Sequence, residues 1–432
     1  MATANLKYFD LNAEAFAVGS VPVAEIAGRV GTPFYVYDGG IIEQKFERLR
    51  RTLRGCHVLY SLKCNPSVAV CSLLKSLGAG ADVASYGELL TAQRAGFAAQ
   101  DTVFVGPGKS DRELEAAIDA GIFAIAAEST NELQRIDAIA GERSKPARVL
   151  VRINVKENIE VAWEKMAGGP SRFGIDEEAA ADALSRLSLE AAEIVGIHTY
   201  AASQVLDAKA ILRHIDHSLG LARALSQQVG FELKCIDFGG GFGVPYADTD
   251  EELDTDALGS GLDDLLAKYA VSRDGVKLVF ESGRYLAAEC GVFVTKVVDV
   301  KASRGKTFVI TDGGINQFLR PQFMKVKHPA LILNKHRRPP TAVVDIGGPC
   351  CTPVDCIAAE VRVPRPEVGD LVGVFNCGAY GYSMSPMNFL SHPWPAEVFV
   401  HKGKMRVVRE RKEAEDFLRE QIDASDDSSL HG

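Results

Sequence analysis

Short apolar runs alternate with amphipathic stretches through residues 32–284. Eight of these runs are strand-like, and the stretches between them have the helical period. They lie near residues 56–61, 81–84, 102–106, 123–127, 148–154, 194–200, 234–238 and 277–281. Alternating strands and helices are typical of parallel βα units, and eight units predict an α/β fold, a (β/α)8 barrel.

The pattern changes after residue 284. Later segments are rich in β-branched residues, with turn residues between them and few helical periods, which predicts a β-rich second domain over residues 285–410. We expect residues 1–31 to join that domain and residues 32–284 to form the barrel. Residues 411–432 are predicted to form a C-terminal helix and then, from Asp423, an acidic, Ser-rich disordered tail.

Charge and composition narrow the possible partners and compartment. The 432 residues include 48 Lys and Arg against 57 Asp and Glu, a net charge of −9, without a long basic run. Nucleic acid and membrane surfaces are therefore poor partner candidates. No apolar run reaches spanning length, so we expect a cytoplasmic protein. The nine cysteines lack a paired framework, which favours reduced thiols and predicts no metal site.

Two candidate groups follow predicted barrel strands, where the functional residues of such barrels lie. Lys63 comes after the first strand, where apolar neighbours would desolvate its amine for Schiff-base formation, although a solvated surface lysine fits the pattern too. After the seventh strand, Gly239, Gly240 and Gly241 would present backbone amides to a phosphate, or would simply form a tight turn.

Two further candidates end the eighth and sixth strands. Glu281 would hold a ring nitrogen protonated, or pair internally with Arg284. His198 would lie over the face of an aromatic cofactor, or be a buried histidine of the core. Together, the lysine, glycine amides, acid and imidazole match an aromatic aldehyde that carries a phosphate.

With these motifs in order, the chain resembles the fold type III pyridoxal-phosphate decarboxylases, the family of diaminopimelate, ornithine and arginine decarboxylases, over about residues 28–405. The matching motifs are Tyr60-Ser61-Leu62-Lys63-Cys64-Asn65, His198 with Ser203, Gly239-Gly240-Gly241, Glu281-Ser282-Gly283-Arg284, Cys351 with Asp355, and Gly378-Ala379-Tyr380-Gly381.

The resemblance implies an alanine-racemase-like barrel, a β-domain completed by an N-terminal strand, pyridoxal 5'-phosphate as cofactor and a homodimer with shared active sites. It implies that Cys351 enters the partner's site and donates a proton to Cα. Cofactor contacts are then expected from Lys63, His198, Ser203, Gly239, Gly240, Gly241, Glu281, Ser282, Gly283, Arg284 and Tyr380, and substrate contacts from Arg284, Arg320, Thr352 and Asp355.

Departures from the family pattern bear on the substrate. Diaminopimelate and ornithine decarboxylases carry an acidic residue directly after the cysteine, but this chain has Thr352 there. A free distal ammonium would lose its partner, at a cost on the order of 2–5 kcal/mol in a dry site. Met324 stands where a tyrosine is expected, Ser282 replaces a proline, and the segment before Ser203 lacks its glycine.

Segments 165–174 and 380–393 resemble a branch that decarboxylates conjugated amino acids in siderophore-like or antibiotic-like secondary metabolism. A neutral Thr352 suits such acylated or carrier-protein-linked substrates. Alternatively, the two segments are scaffold features shared whatever the substrate. The other interpretations are a diaminopimelate decarboxylase of lysine synthesis, an alanine racemase, and a non-enzymatic cofactor carrier or inactive partner, for which loss of Lys63 or Cys351 would be expected.

Overall fold

The computed structural model describes residues 6–156, 164–165, 168–271, 275–419 and 421–422. The chain divides into two compact units, Gly39–Cys290 and Met1–Asp38 with Gly291–Gly432. The boundaries predicted from the sequence lie a few residues earlier at both junctions. None of the helices in the described part of the chain is long and apolar enough to cross a membrane.

The first unit contains a closed parallel barrel of eight strands. Each strand pairs in parallel with the next, and the eighth pairs with the first, Val279 opposite His57. The strands are His57–Ser61, Gly80–Val83, Thr102–Phe104, Ala124–Ala127, Ala147–Asn154, Ala192–Thr199, Cys235–Asp237 and Lys277–Ser282. This closed pairing confirms the predicted (β/α)8 barrel. The barrel could be predicted because buried parallel strands are apolar on both faces and therefore leave a continuous signal in the sequence.

Helices connect these strands on the outside. They are Gly39–Thr52, Val68–Leu77, Tyr86–Ala95, Asp111–Ala120, Thr130–Arg143, Glu177–Ser185, Ala208–Val229, Thr255–Lys268 and Arg284–Ala287. Short strands at Glu164–Lys165, Ile175–Asp176 and Ala202–Ser203 complete the unit. Ser85, Ser110 and Ser129 each accept a hydrogen bond from the third helical amide, which fixes where a helix begins and thus how each loop leaves the barrel.

The inside of the barrel is apolar in its lower layers. Its core cluster consists of Leu59, Val103, Val105, Ala124, Ala126, Leu150, Val195, Cys235 and Val279, which all come from the strands or their immediate ends. The buried polar side chains of His198, Asp237 and Glu281 lie at or next to the carboxyl ends of their strands. A well-packed floor of this kind gives those polar groups fixed positions.

The second unit contains a mixed nine-stranded β-sheet and a separate two-stranded sheet of Ala17–Val18 and Val21–Pro22, so the predicted β-rich domain is confirmed. Its strands are Ala17–Val18, Val21–Pro22, Phe34–Asp38, Gly291–Ser303, Lys306–Thr311, Ala330–Ile332, Ala342–Gly347, Ala358–Val363, Leu371–Phe375, Ala396–His401 and Lys404–Arg409, and its helices are Val23–Val30 and Arg320–Met324. Phe34–Asp38 lies between Gly291–Ser303 and Ala396–His401, antiparallel to the former and parallel to the latter. An N-terminal strand therefore completes the sheet.

The end of the chain is described only in part. Within residues 411–419, the helical residues form one 3-10 turn, Ala414–Phe417. The tail predicted to be disordered, from Asp423 on, lies outside the described residues.

Candidate active site

Lys63 lies at the carboxyl end of the barrel. The first strand ends at Ser61, and the short 3-10 turn Leu62–Cys64 carries the lysine. Its Nζ donates a hydrogen bond to Oδ2 of Asp82 over 3.0 Å, and the Ser61 hydroxyl donates to the same oxygen over 2.6 Å. The lysine side chain is 36% exposed and the carboxylate 1%. The amine is thus held by a buried acid while remaining accessible to a reagent.

Asp82 was not among the site residues predicted from the sequence. It is a lone acidic residue in the second barrel strand, Gly80–Val83, and that placement near a strand end was the signal available. Burial raises the pKa of this carboxyl, as does the charge of Glu281, while Lys63 and the Ser61 hydrogen bond lower it. The net effect is a raised pKa, so Asp82 is suited to sharing a proton with the lysine amine.

Glu281, His198 and Asp237 form a buried cluster above the apolar floor. One oxygen or nitrogen atom of each residue lies within 4.8 Å of such an atom of the other two, and Nε2 of His198 lies 3.3 Å from Oε1 of Glu281. Burial alone would raise the pKa of Glu281, but His198, Lys63 and Arg152 together lower it to about 2. Burial and then the charge of Glu281 raise the pKa of Asp237 well above its usual range. The two shifts are opposite in direction, so the negative charge of this pair favours Glu281 over Asp237.

The glycine run after the seventh strand forms a cradle in which side chains do not fit. Gly239 and Gly241 have φ angles of 65° and 101°, which suit glycine. A Cβ on Gly240 would lie 2.0 Å from the carbonyl oxygen of Glu281, and one on Gly241 2.3 Å from that of Ala202. The close approach leaves backbone amides, rather than side chains, at this edge of the barrel.

Arg284 and Ser203 meet on the same side. Nη2 of Arg284 donates to the Ser203 hydroxyl over 3.1 Å, and both side chains are buried. A Cβ on Gly283 would lie 3.0 Å from Sγ of Cys64, so the chain passes tightly behind the lysine turn. The buried Ser282 hydroxyl has no hydrogen-bond partner among the described residues. A hydroxyl and a guanidinium together suit an anion.

His214 contacts the ends of the sixth and seventh strands, at Thr199 and Phe238. Its Nε2 lies 3.1 Å from the Phe238 carbonyl oxygen and 3.3 Å from the Thr199 hydroxyl. Burial lowers the pKa of His214 from 6.5 to about 4, although the Phe238 contact raises it somewhat. The imidazole is therefore neutral in the folded protein at pH 5–7.

This depressed pKa predicts a loss of stability in acid. Below pH 6.5, His214 is protonated in the unfolded chain, whereas in the folded chain it stays neutral down to about pH 4. The free energy of unfolding therefore falls by roughly 3 kcal/mol as the pH is lowered from 6.5 to about 4. We expect His214→Gln to remove this part of the fall. Urea unfolding at pH 7 and pH 4.5 measures it, and equal losses in both proteins would contradict the assignment.

Two predicted site residues of the β-rich unit also lie together. Arg320 is 1% exposed, and its Cζ lies 5.6 Å from the centre of the Tyr380 ring. Tyr380 is half-buried with a φ of 58°. This left-handed conformation is uncommon for a tyrosine and indicates a loop with a fixed geometry.

The Cys351 loop is ordered by Asp355. One carboxylate oxygen accepts a hydrogen bond from the Ile315 amide over 2.8 Å and the other from the Cys350 amide over 2.7 Å. Cys351 itself is exposed and Thr352 is half-buried. Asp355 therefore orders the cysteine loop, and the substrate contact expected of Asp355 stays a prediction.

The family model of the pyridoxal-dependent decarboxylases, pyridoxal binding domain, matches residues 40–288. These residues contain the lysine, the glycine cradle and the buried acid cluster. The chain belongs to this family of pyridoxal-dependent decarboxylases. It is a fold type III enzyme whose cofactor is pyridoxal 5'-phosphate and whose reaction is the decarboxylation of an amino acid.

Curated relatives of this decarboxylase cover nearly the whole chain. It is 38% identical over 412 residues to the L-glutamyl-[BtrI acyl-carrier protein] decarboxylase of Niallia circulans, covering 93% of this chain and 96% of that one. It is 33% identical to the diaminopimelate decarboxylase of Aquifex aeolicus, covering 97% of each chain. It is also 32% identical to the 2-[(L-alanin-3-ylcarbamoyl)methyl]-2-hydroxybutanedioate decarboxylase of Staphylococcus aureus, covering 86% and 94%.

A solved structure supports the same family relationship. The diaminopimelate decarboxylase of Helicobacter pylori, complexed with L-lysine, superposes on this decarboxylase with a TM-score of 0.84. The two are 31% identical, and the match covers 92% of this chain and 98% of that one. The family relationship predicted from the motifs is confirmed, as is the cofactor.

The residues present fit pyridoxal phosphate. Oε1 of Glu281 lies beside His198, whereas the buried Oε2 has no hydrogen-bond partner among the described residues, which suits a ring N–H. The Gly239–Gly241 cradle, with Ser203 and Arg284 beside it, offers donors to a phosphate, and the Lys63 amine is available for the aldehyde.

Proposed function

We propose that this decarboxylase acts at Cα of an L-amino acid whose distal end carries an acyl or carrier group, in a secondary-metabolite pathway. The observation that carries the proposal is Thr352, a neutral residue directly after Cys351. A free distal ammonium would find no charge partner at that position, whereas an amide or thioester needs none. The names of the Niallia and Staphylococcus relatives, which act on such conjugates, support the same direction.

We propose that each of these barrel residues contacts a different part of the cofactor. Lys63 would hold the cofactor through Nζ, and Asp82 would take or return the proton of that amine. The ionised Glu281 would keep a proton on the ring nitrogen, and the backbone amides of Gly240 and Gly241 with Arg284 would bind the phosphate, because the Gly239 amide donates to Oδ1 of Asp237. Bound pyridoxal phosphate supplies the electron-accepting ring into which the electron pair of the broken bond moves when carbon dioxide leaves.

The β-rich unit would supply the proton donor and the substrate grip. Cys351 is exposed, so its thiol is available to protonate Cα. Arg320 would bind a carboxylate of the conjugate and Tyr380 the phosphate, while Asp355 holds the cysteine loop in place. We propose a homodimer in which Cys351 of one copy completes the barrel site of the other.

The segment 380–393 offers a route to side-chain selectivity. The Ser385 hydroxyl accepts a hydrogen bond from the Leu319 amide over 3.1 Å, and the Gln317 amide donates to the Pro393 carbonyl over 2.6 Å. These two hydrogen bonds connect the segment 380–393 to the residues directly before Arg320. In the other segment, 165–174, residues 166–167 lie outside the described part of the chain.

A second candidate function is diaminopimelate decarboxylation, which the Aquifex relative favours by name. It requires a different partner for the distal ammonium, because Thr352 carries no charge.

The test is carbon dioxide release by purified, cofactor-loaded protein offered a panel of amino acids. The panel holds free ornithine, lysine, arginine and meso-diaminopimelate beside citryl amides and carrier-protein thioesters of amino acids. We expect turnover of conjugates alone. Turnover of meso-diaminopimelate at a comparable kcat/KM would favour the second function instead.

Thr352→Asp is expected to shift the selectivity. A carboxylate after Cys351 would pair with a distal ammonium and repel an acidic conjugate, so the ratio of kcat/KM for ornithine or diaminopimelate to that for a citryl amide should rise about tenfold or more. Thr352→Asn serves as the neutral control of similar size. An unchanged ratio in both variants would mean that residue 352 does not face the distal group.

A further inference from the structure

The aromatic residue beside the reactive lysine is Tyr200, two residues after the predicted His198. Nζ of Lys63 lies over the Tyr200 ring, 5.8 Å from its centre. The sixth barrel strand ends at Thr199, so Tyr200 is the first residue of the loop beyond it, and its side chain is half-buried.

The same ring also borders the glycine cradle. A Cβ on Gly239 would lie 2.6 Å from Cδ2 of Tyr200, and one on Gly240 3.7 Å from Cε2. The tyrosine ring is thus in contact with the cradle backbone on one side and faces the lysine amine on another. A group linked to Lys63 with its phosphate on the cradle must occupy the space that this ring borders.

His198 lies elsewhere. It is 0% exposed, and its neighbours are the carboxylates of Glu281 and Asp237 inside the barrel. Its ring is therefore part of the acid cluster below the cradle, where it helps to lower the pKa of Glu281. His198 is buried because it lies within the sixth strand, whereas Tyr200 is partly exposed because it lies in the loop that follows the strand.

We propose that Tyr200, and not His198, provides the aromatic surface that packs against the ring of the cofactor in this decarboxylase. A phenol ring offers the same flat face as an imidazole, without the change of charge that histidine undergoes between pH 5 and 8. His198 then acts as a positioning residue for Glu281. This inference depends on the cofactor and is independent of the identity of the substrate.

Three variants separate the ring face from side-chain volume. Tyr200→Phe keeps the ring, Tyr200→His keeps a flat ring of another kind, and Tyr200→Leu keeps apolar volume against Gly239 but has no ring face. We expect Tyr200→Leu to raise the Kd of the apoprotein for pyridoxal phosphate about three- to tenfold, the range of aromatic stacking. Tyr200→Phe and Tyr200→His should stay within about twofold of wild type.

Inorganic phosphate is the probe that excludes a merely structural role. If Tyr200 packs on the cofactor ring, the Kd for inorganic phosphate at the glycine cradle remains the same in Tyr200→Leu while the Kd for pyridoxal phosphate rises. If Tyr200 only props the cradle, both rise together, and the proposal is overturned. It is equally overturned if Tyr200→Leu binds the cofactor as tightly as wild type. Neither readout involves turnover, so a wrong substrate proposal would leave this test intact.

Discussion

Replacing Lys63 with alanine is expected to lower kcat on the order of 10⁴-fold or more, the largest effect that we predict for a single substitution. Lys63 is the lysine at the carboxyl end of the barrel with an accessible amine beside a buried acid, Asp82. Without it, the protein would lose the covalent attachment that we propose for the cofactor and the amine that would release the product.

The attachment can be measured without turnover. Borohydride reduction of the cofactor-loaded protein, followed by peptide mass spectrometry, should find the cofactor on Lys63 and on no peptide of Lys63→Ala. Lys75→Ala is the control, because Lys75 is an exposed lysine in the next helix, Val68–Leu77. A Lys63→Ala protein that kept the visible absorbance of covalently bound cofactor would refute this role.

The second large effect is expected for Glu281→Gln, with kcat reduced about 10²- to 10³-fold at saturating cofactor. An ionised, buried carboxylate stabilises a proton on the ring nitrogen, and an amide of the same shape cannot do so. His198 and Lys63 lower the pKa of Glu281, so the carboxylate keeps its charge as the pH falls through its ordinary value of 4.5 and loses it only near pH 2.

Glu281→Asp should recover part of the rate, since it keeps the charge but withdraws it from the ring. Steady-state kinetics at saturating pyridoxal phosphate, together with the Kd for the cofactor, separate a chemical effect from a binding effect. If kcat of Glu281→Gln remained within threefold of wild type, the ring nitrogen would have to be held by another group.

Much of the barrel could be predicted because its signals are local. Eight buried parallel strands leave eight short apolar runs, and each run is found as a strand within a few residues. The positions of Lys63, Glu281 and Gly239–Gly241 follow from the same signals, because functional residues of such barrels come directly after the strands.

The parts that could not be predicted depend on contacts between distant segments. Asp82 becomes part of the site only because the second strand lies beside the first. Our proposal of Tyr200 in place of His198 depends on where the sixth strand ends, and hydrophobic period does not fix the end of a strand to within two residues. The hydrogen bond from the Ile315 amide to Asp355 joins residues 40 positions apart and leaves no local pattern in the sequence.

The most direct test uses a conjugate labelled with ¹³C in its Cα carboxylate alone and meso-diaminopimelate labelled in both of its carboxylates. A citryl amide or carrier thioester of an amino acid and free meso-diaminopimelate would each be offered to the loaded enzyme, and labelled carbon dioxide would be measured against product amine. We predict one labelled carbon dioxide per product from a conjugate, with the acyl or carrier group retained, and a much lower kcat/KM for diaminopimelate. Release from diaminopimelate alone would contradict this prediction.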